Sequence, residues 1–68
     1  MRRISISGGG IRLGQLLKLA DLVEQGSDAK QLLADGDVQV NGELEQRRGR
    51  QLVPGDVVTV RGRDFTLS

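Results

Sequence analysis

The chain has 68 residues, ten Lys/Arg against nine Asp/Glu, a formal net charge of +1, and neither cysteine nor histidine. Disulfides and thiolate metal sites are therefore excluded, and the commonest general base and commonest metal ligand are missing. A chain of this length makes at most one domain, buries only about 60% of its unfolded surface, and leaves no room for a deep catalytic cleft.

In chain order, Arg3 to Ser7 alternates polar and apolar residues, with Ile4 and Ile6 on one side, as a short strand does. Gly8-Gly9-Gly10 then breaks the chain. Ile11 to Gln25 reads as the main helix. Leu13, Leu16, Leu17, Ala20 and Val23 fall on one face, and Leu19 and Leu22 widen that stripe toward burial on two sides. Gly26 stands as its stop, Ser27 as the N-cap of a second, short helix, and Asp28 suits the positive end of that helix dipole. The second helix runs to about Ala34 or Asp35, with Leu32 and Leu33 inward and Gly36 as its left-handed terminator. Val38 and Val40 mark a strand, and Asn41-Gly42 a two-residue hairpin turn that leads into Leu44. Arg47-Arg48-Gly49-Arg50 is polar and expected to be exposed, and Leu52 and Val53 return to the core. Pro54-Gly55-Asp56 is a turn, Val57 to Val60 a strand, Arg61 to Asp64 a further turn, and Phe65 to Leu67 a last strand with an open edge. Strand, helix, helix and several strands joined by short connections imply an α+β fold: two N-terminal helices packed on a small antiparallel or mixed β-sheet. No apolar run approaches the roughly 20 residues that cross a bilayer, and Met1-Arg2-Arg3 is not followed by the apolar stretch of a signal peptide. A soluble, cytoplasmic protein is the expectation.

Catalysis finds little support, since the Ser, Thr and Lys nucleophiles have no histidine to activate them. The carboxylates read as solvated surface groups, and Asp35-Gly36-Asp37 as a helix stop rather than a cation loop, which needs further carboxylates at set spacing. Gly8, Gly10 and Gly14 have the spacing GxGxxxG, which departs from the dinucleotide fingerprint and leaves a flexible connector. The basic residues are more informative. Seven of the nine acids lie between Asp21 and Glu45, while five of the ten bases lie from Arg47 to Arg63, so a nearly neutral chain can still present a basic face. Arg12, Lys18 and Lys30 flank one groove if the helices pack as a corner. Arg47, Arg48 and Arg50 repel one another, and an anion relieves that repulsion, with the guanidinium fork well matched to phosphate oxygens. The alternative is a hairpin edge kept soluble by charge. With a single aromatic residue, Phe65, the chain has no stacking platform for single-stranded bases, so any RNA it binds is read through backbone and shape.

Three segments, Arg12-Leu13-Gly14-Gln15-Leu16-Leu17-Lys18, Ser27-Asp28-Ala29-Lys30-Gln31-Leu32-Leu33 and Gly36-Asp37-Val38-Gln39-Val40-Asn41-Gly42, resemble the RNA-binding domain named after small-subunit ribosomal protein S4. Arg47-Arg48-Gly49-Arg50 and Pro54-Gly55-Asp56-Val57-Val58-Thr59-Val60 extend the likeness from about Ile11 to Val60, and the whole chain, 1–68, is similar to small stand-alone bacterial members. The resemblance implies the alpha-L RNA-binding motif, in which two helices and a following hairpin form the binding surface. It implies non-catalytic binding of structured RNA, ribosomal or tRNA-like, or of an assembling ribosomal particle, with no cofactor, metal, membrane or small-molecule substrate. Carried over by position, Arg12, Lys30, Gln31 and Asn41 line the RNA face and Ser27 caps the second helix, with Lys18, Arg47, Arg48 and Arg50 completing the candidate set. Many relatives carry an arginine near the start of the second helix. Here Ser27 and Asp28 stand there, which shifts weight onto the Arg47–Arg50 cluster and sets Asp28 against a phosphate at that helix end. The rival function is a protein-interaction adaptor docking an acidic partner through the basic hairpin.

Overall fold

Apolar alternation decides the strands in the computed structural model, which describes residues 2–6 and 8–68. The elements are β1 (Arg2–Ile4), β2 (Ile11–Arg12), α1 (Leu13–Leu19), α2 (Gly26–Ala34), β3 (Val38–Val40), β4 (Glu43–Leu44), β5 (Gln51–Leu52), β6 (Val57–Val60) and β7 (Arg63–Leu67). Five strands form one sheet in the order β1-β7-β6-β3-β4, and β2 pairs with β5 in a separate antiparallel ribbon. Within the large sheet β1 runs parallel to β7 and the remaining pairs are antiparallel, so the chain is α+β with two helices and a mixed sheet.

Register puts Val38 opposite Val60, Val40 opposite Val58, Val58 opposite Phe65, and Ile4 opposite Leu67. Paired residues share a sheet face, so these side chains form one apolar layer. All are buried, together with Leu13, Leu16, Leu17, Leu32 and Leu33 of the helices. Each such side chain contributes on the order of 1.5–3 kcal/mol when removed from water. The opposite face, with Gln39 and Leu44 exposed and Thr59 half-buried, is open to solvent.

The main helix is shorter than its leucine pattern suggests. It ends at Leu19 because Asp21 adopts a left-handed φ of 60°. The Asp21 N–H donates to the Lys18 carbonyl at 3.1 Å and the Leu22 N–H to the Leu17 carbonyl at 3.0 Å. That is the Schellman arrangement, with an aspartate where glycine usually stands. Leu22 and Val23 still pack against the core from beyond the helix, whereas Leu19 is exposed. At the other end, Ile11 and Arg12 belong to a strand rather than to the helix, since Ile11 lies opposite Leu52. The second helix starts earlier than Ser27. Its N-cap is Gln25, whose N–H donates to the Asp28 carboxylate at 3.2 Å, so Gly26 opens the helix and Ser27 lies within it. Its C-terminus follows expectation: the Gly36 N–H bonds to the Leu33 carbonyl with φ at 77°. Val53 is exposed rather than in the core, and the turn after β6 is only Arg61-Gly62, so Arg63 and Asp64 already belong to β7. Because β1 covers β7, the open edge expected beside Phe65 lies at β1 instead. Of the first strand as read from sequence, Ser7 lies outside the described residues.

Asn41 and Gly42 both have positive φ, 52° and 84°, as a tight hairpin requires. The Asn41 side chain also ties the turn to the sheet. Its amide donates to Asp56 at 3.1 Å and its carbonyl accepts the Val57 N–H at 2.9 Å. Asn41→Ala is expected to lose both the side-chain bonds and the left-handed tolerance, at about 2 kcal/mol, whereas Asn41→Gly loses only the bonds, at about 1 kcal/mol. Urea midpoints of the two variants check this ordering.

Candidate nucleic-acid interface

The N-terminus of α1 leaves backbone donors without helical partners, and the Arg47–Arg50 turn supplies acceptors for two of them. The Leu13 N–H donates to the Arg50 carbonyl and the Gly14 N–H to the Arg48 carbonyl, both at 2.9 Å. The turn itself closes through the Arg50 N–H and the Arg47 carbonyl at 3.2 Å. Close approach is possible because Gly14 has no side chain: a Cβ there would stand 2.5 Å from Cγ of Arg48. Arg48 thus lies across α1 and reaches the second helix, where its Nη1 donates to the Gly26 carbonyl at 3.4 Å.

The result is a groove of about 460 Å³ between the two helices and the arginine turn. Arg12, Gln15 and Lys18 line it from the α1 side, Gly26 and Ala29 from α2, Arg48 and Gly49 from the turn, with Gly14 beneath. No carboxylate lines it. Arg12, Lys18 and Arg48 have no ion-pair partner among the described residues.

The other two arginines of the cluster are neutralised from within the chain. Glu45 is buried, at 6% exposure, so the expectation of a solvated carboxylate fails there. One of its oxygens accepts the N–H groups of Gln46 and Arg47 and Nε of Arg47, and the other accepts Nη2 of Arg47 and Nη1 of Arg50, at 2.9–3.1 Å. Hydrogen bonds from Arg47 and then Arg50 hold the Glu45 carboxyl well below the usual 4.5, at about 2, against a smaller opposing effect of burial. The mutual repulsion that an external anion would have relieved is therefore largely relieved by Glu45.

Of the residues singled out by sequence, the structure brings Arg12, Lys18 and Arg48 together and disperses the others. Lys30 is exposed on α2, one turn beyond Gly26, and is not among the residues lining the groove. Gln31 donates to Asp35 at 2.8 Å and lines a different concavity, together with Asp28 and Arg61. Asp28 therefore does not face the groove. Asn41 is engaged with Asp56 and Val57 as described. Gln15, Gly14, Gly26, Ala29 and Glu45 were not anticipated. A glycine inside a leucine-rich helix costs about 1 kcal/mol relative to alanine, and that cost was the available signal that another segment approaches Gly14 closely.

Comparison with known proteins finds relatives of this chain in sequence and in fold. The S4 domain family model matches residues 4–68. The Bacillus subtilis (strain 168) protein designated probable ribosome maturation protein RlbA is 51% identical over 59 residues, covering 87% of this chain and 83% of that one. The small ribosomal subunit protein uS4m of Schizosaccharomyces pombe is 45% identical over 49 residues, 72% of this chain but only 15% of that longer protein. Among solved structures, the 30S ribosomal protein S4e of Thermoplasma acidophilum shares the fold with a TM-score of 0.66 at 20% identity, over 88% of this chain and 32% of that one.

A carboxyl whose pKa is depressed on folding contributes stability above its unfolded value and loses it as pH falls. The Glu45 contribution is thus expected to be intact above about pH 4.5 and to disappear toward pH 2. Glu45→Gln should cost about 1–3 kcal/mol at neutral pH, by leaving donors unmatched, and should flatten the acid limb. Urea midpoints measured from pH 7 to pH 2 check both effects.

Proposed function

Because the chain belongs to the S4 domain family, we propose that it is a single RNA-binding unit that binds structured RNA without acting on it as an enzyme. The groove between α1 and α2 takes RNA phosphates. One observation carries this reading: Arg12, Lys18 and Arg48, drawn from separate parts of the chain, converge on a groove that no carboxylate lines. Their charges remain available to a polyanion, and two guanidinium forks suit phosphate oxygens. The helix–helix–turn arrangement is consistent with the alpha-L motif that the resemblance implies. Arg47 keeps 75% of its side chain exposed but is paired with Glu45, so the groove's charge comes from Arg12, Lys18 and Arg48.

The mode of reading follows from what the surface lacks. Phe65, the chain's one aromatic residue, is buried, so bases have no ring to stack on and recognition rests on backbone and shape. The ribosomal names of the relatives point to ribosomal RNA or an assembling ribosomal particle in the cytoplasm as the setting. No helix among the described residues is long and apolar enough to cross a membrane.

Neutralising about three to five phosphates gives a slope of log affinity against log salt near −3 to −4. The triple variant Arg12→Ala, Lys18→Ala, Arg48→Ala is expected to bring that slope to about −1 and to weaken binding to a ribosomal RNA fragment at least about tenfold. Fluorescence anisotropy across a salt series measures both quantities. Unchanged affinity in the triple variant, with its circular dichroism intact, rules out the groove.

A further inference from the structure

A second cationic site lies at the β1–β7 edge of the large sheet. β1 runs parallel to β7 with Arg2 opposite Phe65, and Arg63 precedes Phe65 by two residues on the same strand. Side chains two apart on a strand, and those directly paired between strands, share a face. Arg2 and Arg63 therefore project from the same face, diagonally adjacent, with Cα atoms about 8 Å apart from strand spacing and rise. The Arg63 guanidinium is fixed over the Phe65 ring, 5.8 Å from its centroid.

Neither arginine has a carboxylate partner among the described residues. The two border a concavity of about 500 Å³ completed by Gly62, Asp64 and Phe65. Asp64 is the only acid there. It alternates to the other face of β7, and its Oδ1 accepts the Thr59 hydroxyl at 2.7 Å. Arg61, at the hairpin tip, is instead held by Asp37 at 3.2 Å. Two adjacent guanidinium groups with no internal counter-charge contrast with Arg47 and Arg50, which the fold neutralises.

The concavity shares no residue with the groove between the helices. β7 is separated from β4, the strand leading into the arginine turn, by β6 and β3. That is three strand spacings, about 14 Å. From these two disjoint sets of guanidinium groups without counter-charges we infer that Arg2 and Arg63 form a second phosphate-binding site, so that one chain holds two RNA segments at once. The inference rests on the RNA reading proposed above. It adds that the protein is a bridge between helices of a folded RNA rather than a cap on one of them.

Native mass spectrometry of the full chain with a short RNA hairpin at low salt tests the bridge, with energy transfer between donor- and acceptor-labelled copies of that hairpin as the second readout. The wild type is expected to form a complex of one chain with two hairpins and to give a transfer signal. Arg2→Gln with Arg63→Gln should stop at one hairpin, with the signal lost and the first affinity unchanged within about twofold, while Arg2→Lys with Arg63→Lys keeps both hairpins because charge is retained. A wild type that saturates at one hairpin, or a Gln variant that still takes two, overturns the second site and leaves the groove standing. A wild type that takes none overturns both.

Discussion

Burying a carboxylate is costly unless its lone pairs are met by donors, and Glu45 meets that condition with groups drawn entirely from the five residues that follow it. The ion pairs are local in sequence, so their geometry is set within one turn of chain. Their effects are not local. The turn they shape presents the Arg48 and Arg50 carbonyls to the first amides of α1 and lays Arg48 across Gly14 toward Gly26. The groove, its cations and the docking of β2 on β5 all follow from that placement.

Three arginines in four residues carry different duties as a consequence. Arg47 and Arg50 spend charge on Glu45, Arg50 being the more covered of the two. Arg48 makes only a long bond to a backbone carbonyl and keeps its charge for the groove. Glycine at 14 completes the arrangement, because a Cβ there would stand 2.5 Å from Cγ of Arg48, while Gly26 and Ala29 line the same groove from α2.

Much of the fold was legible because local chemistry and tertiary structure agree. The Asn41-Gly42 hairpin, the Gly36 terminator and the β6 strand each carry a signal that needs no distant partner. The first helix was misjudged where local pattern and backbone part company. Leu22 and Val23 continue the leucine period and do reach the core, but a left-handed aspartate at position 21 breaks the helix that the period seems to require. Ile11 and Arg12 look like a helix start, and only Leu52 and Gln51, forty residues away, make them a strand. At the site, Arg12, Lys18 and Arg48 were identifiable as cations, whereas their segregation from Arg47 and Arg50 was not. Glu45 closes a seven-acid stretch and has no sequence mark that distinguishes a buried acid from a solvated one. What separates them is the number of donors within reach, which only the folded chain fixes.

The parallel pairing of β1 with β7 has a consequence for the order of folding. Ser68 and Ile4 exchange backbone contacts, the Ser68 N–H donating to the Ile4 carbonyl at 3.0 Å and the Ile6 N–H to the Ser68 carbonyl at 2.8 Å. The two strands lie about sixty residues apart along the chain, so their pairing is the most long-range contact of the large sheet. Closing so long a loop carries an entropic cost that is met only once the elements between them have packed. The pairing of β1 with β7 is thus a late event in folding, and β7 keeps an open edge until it occurs.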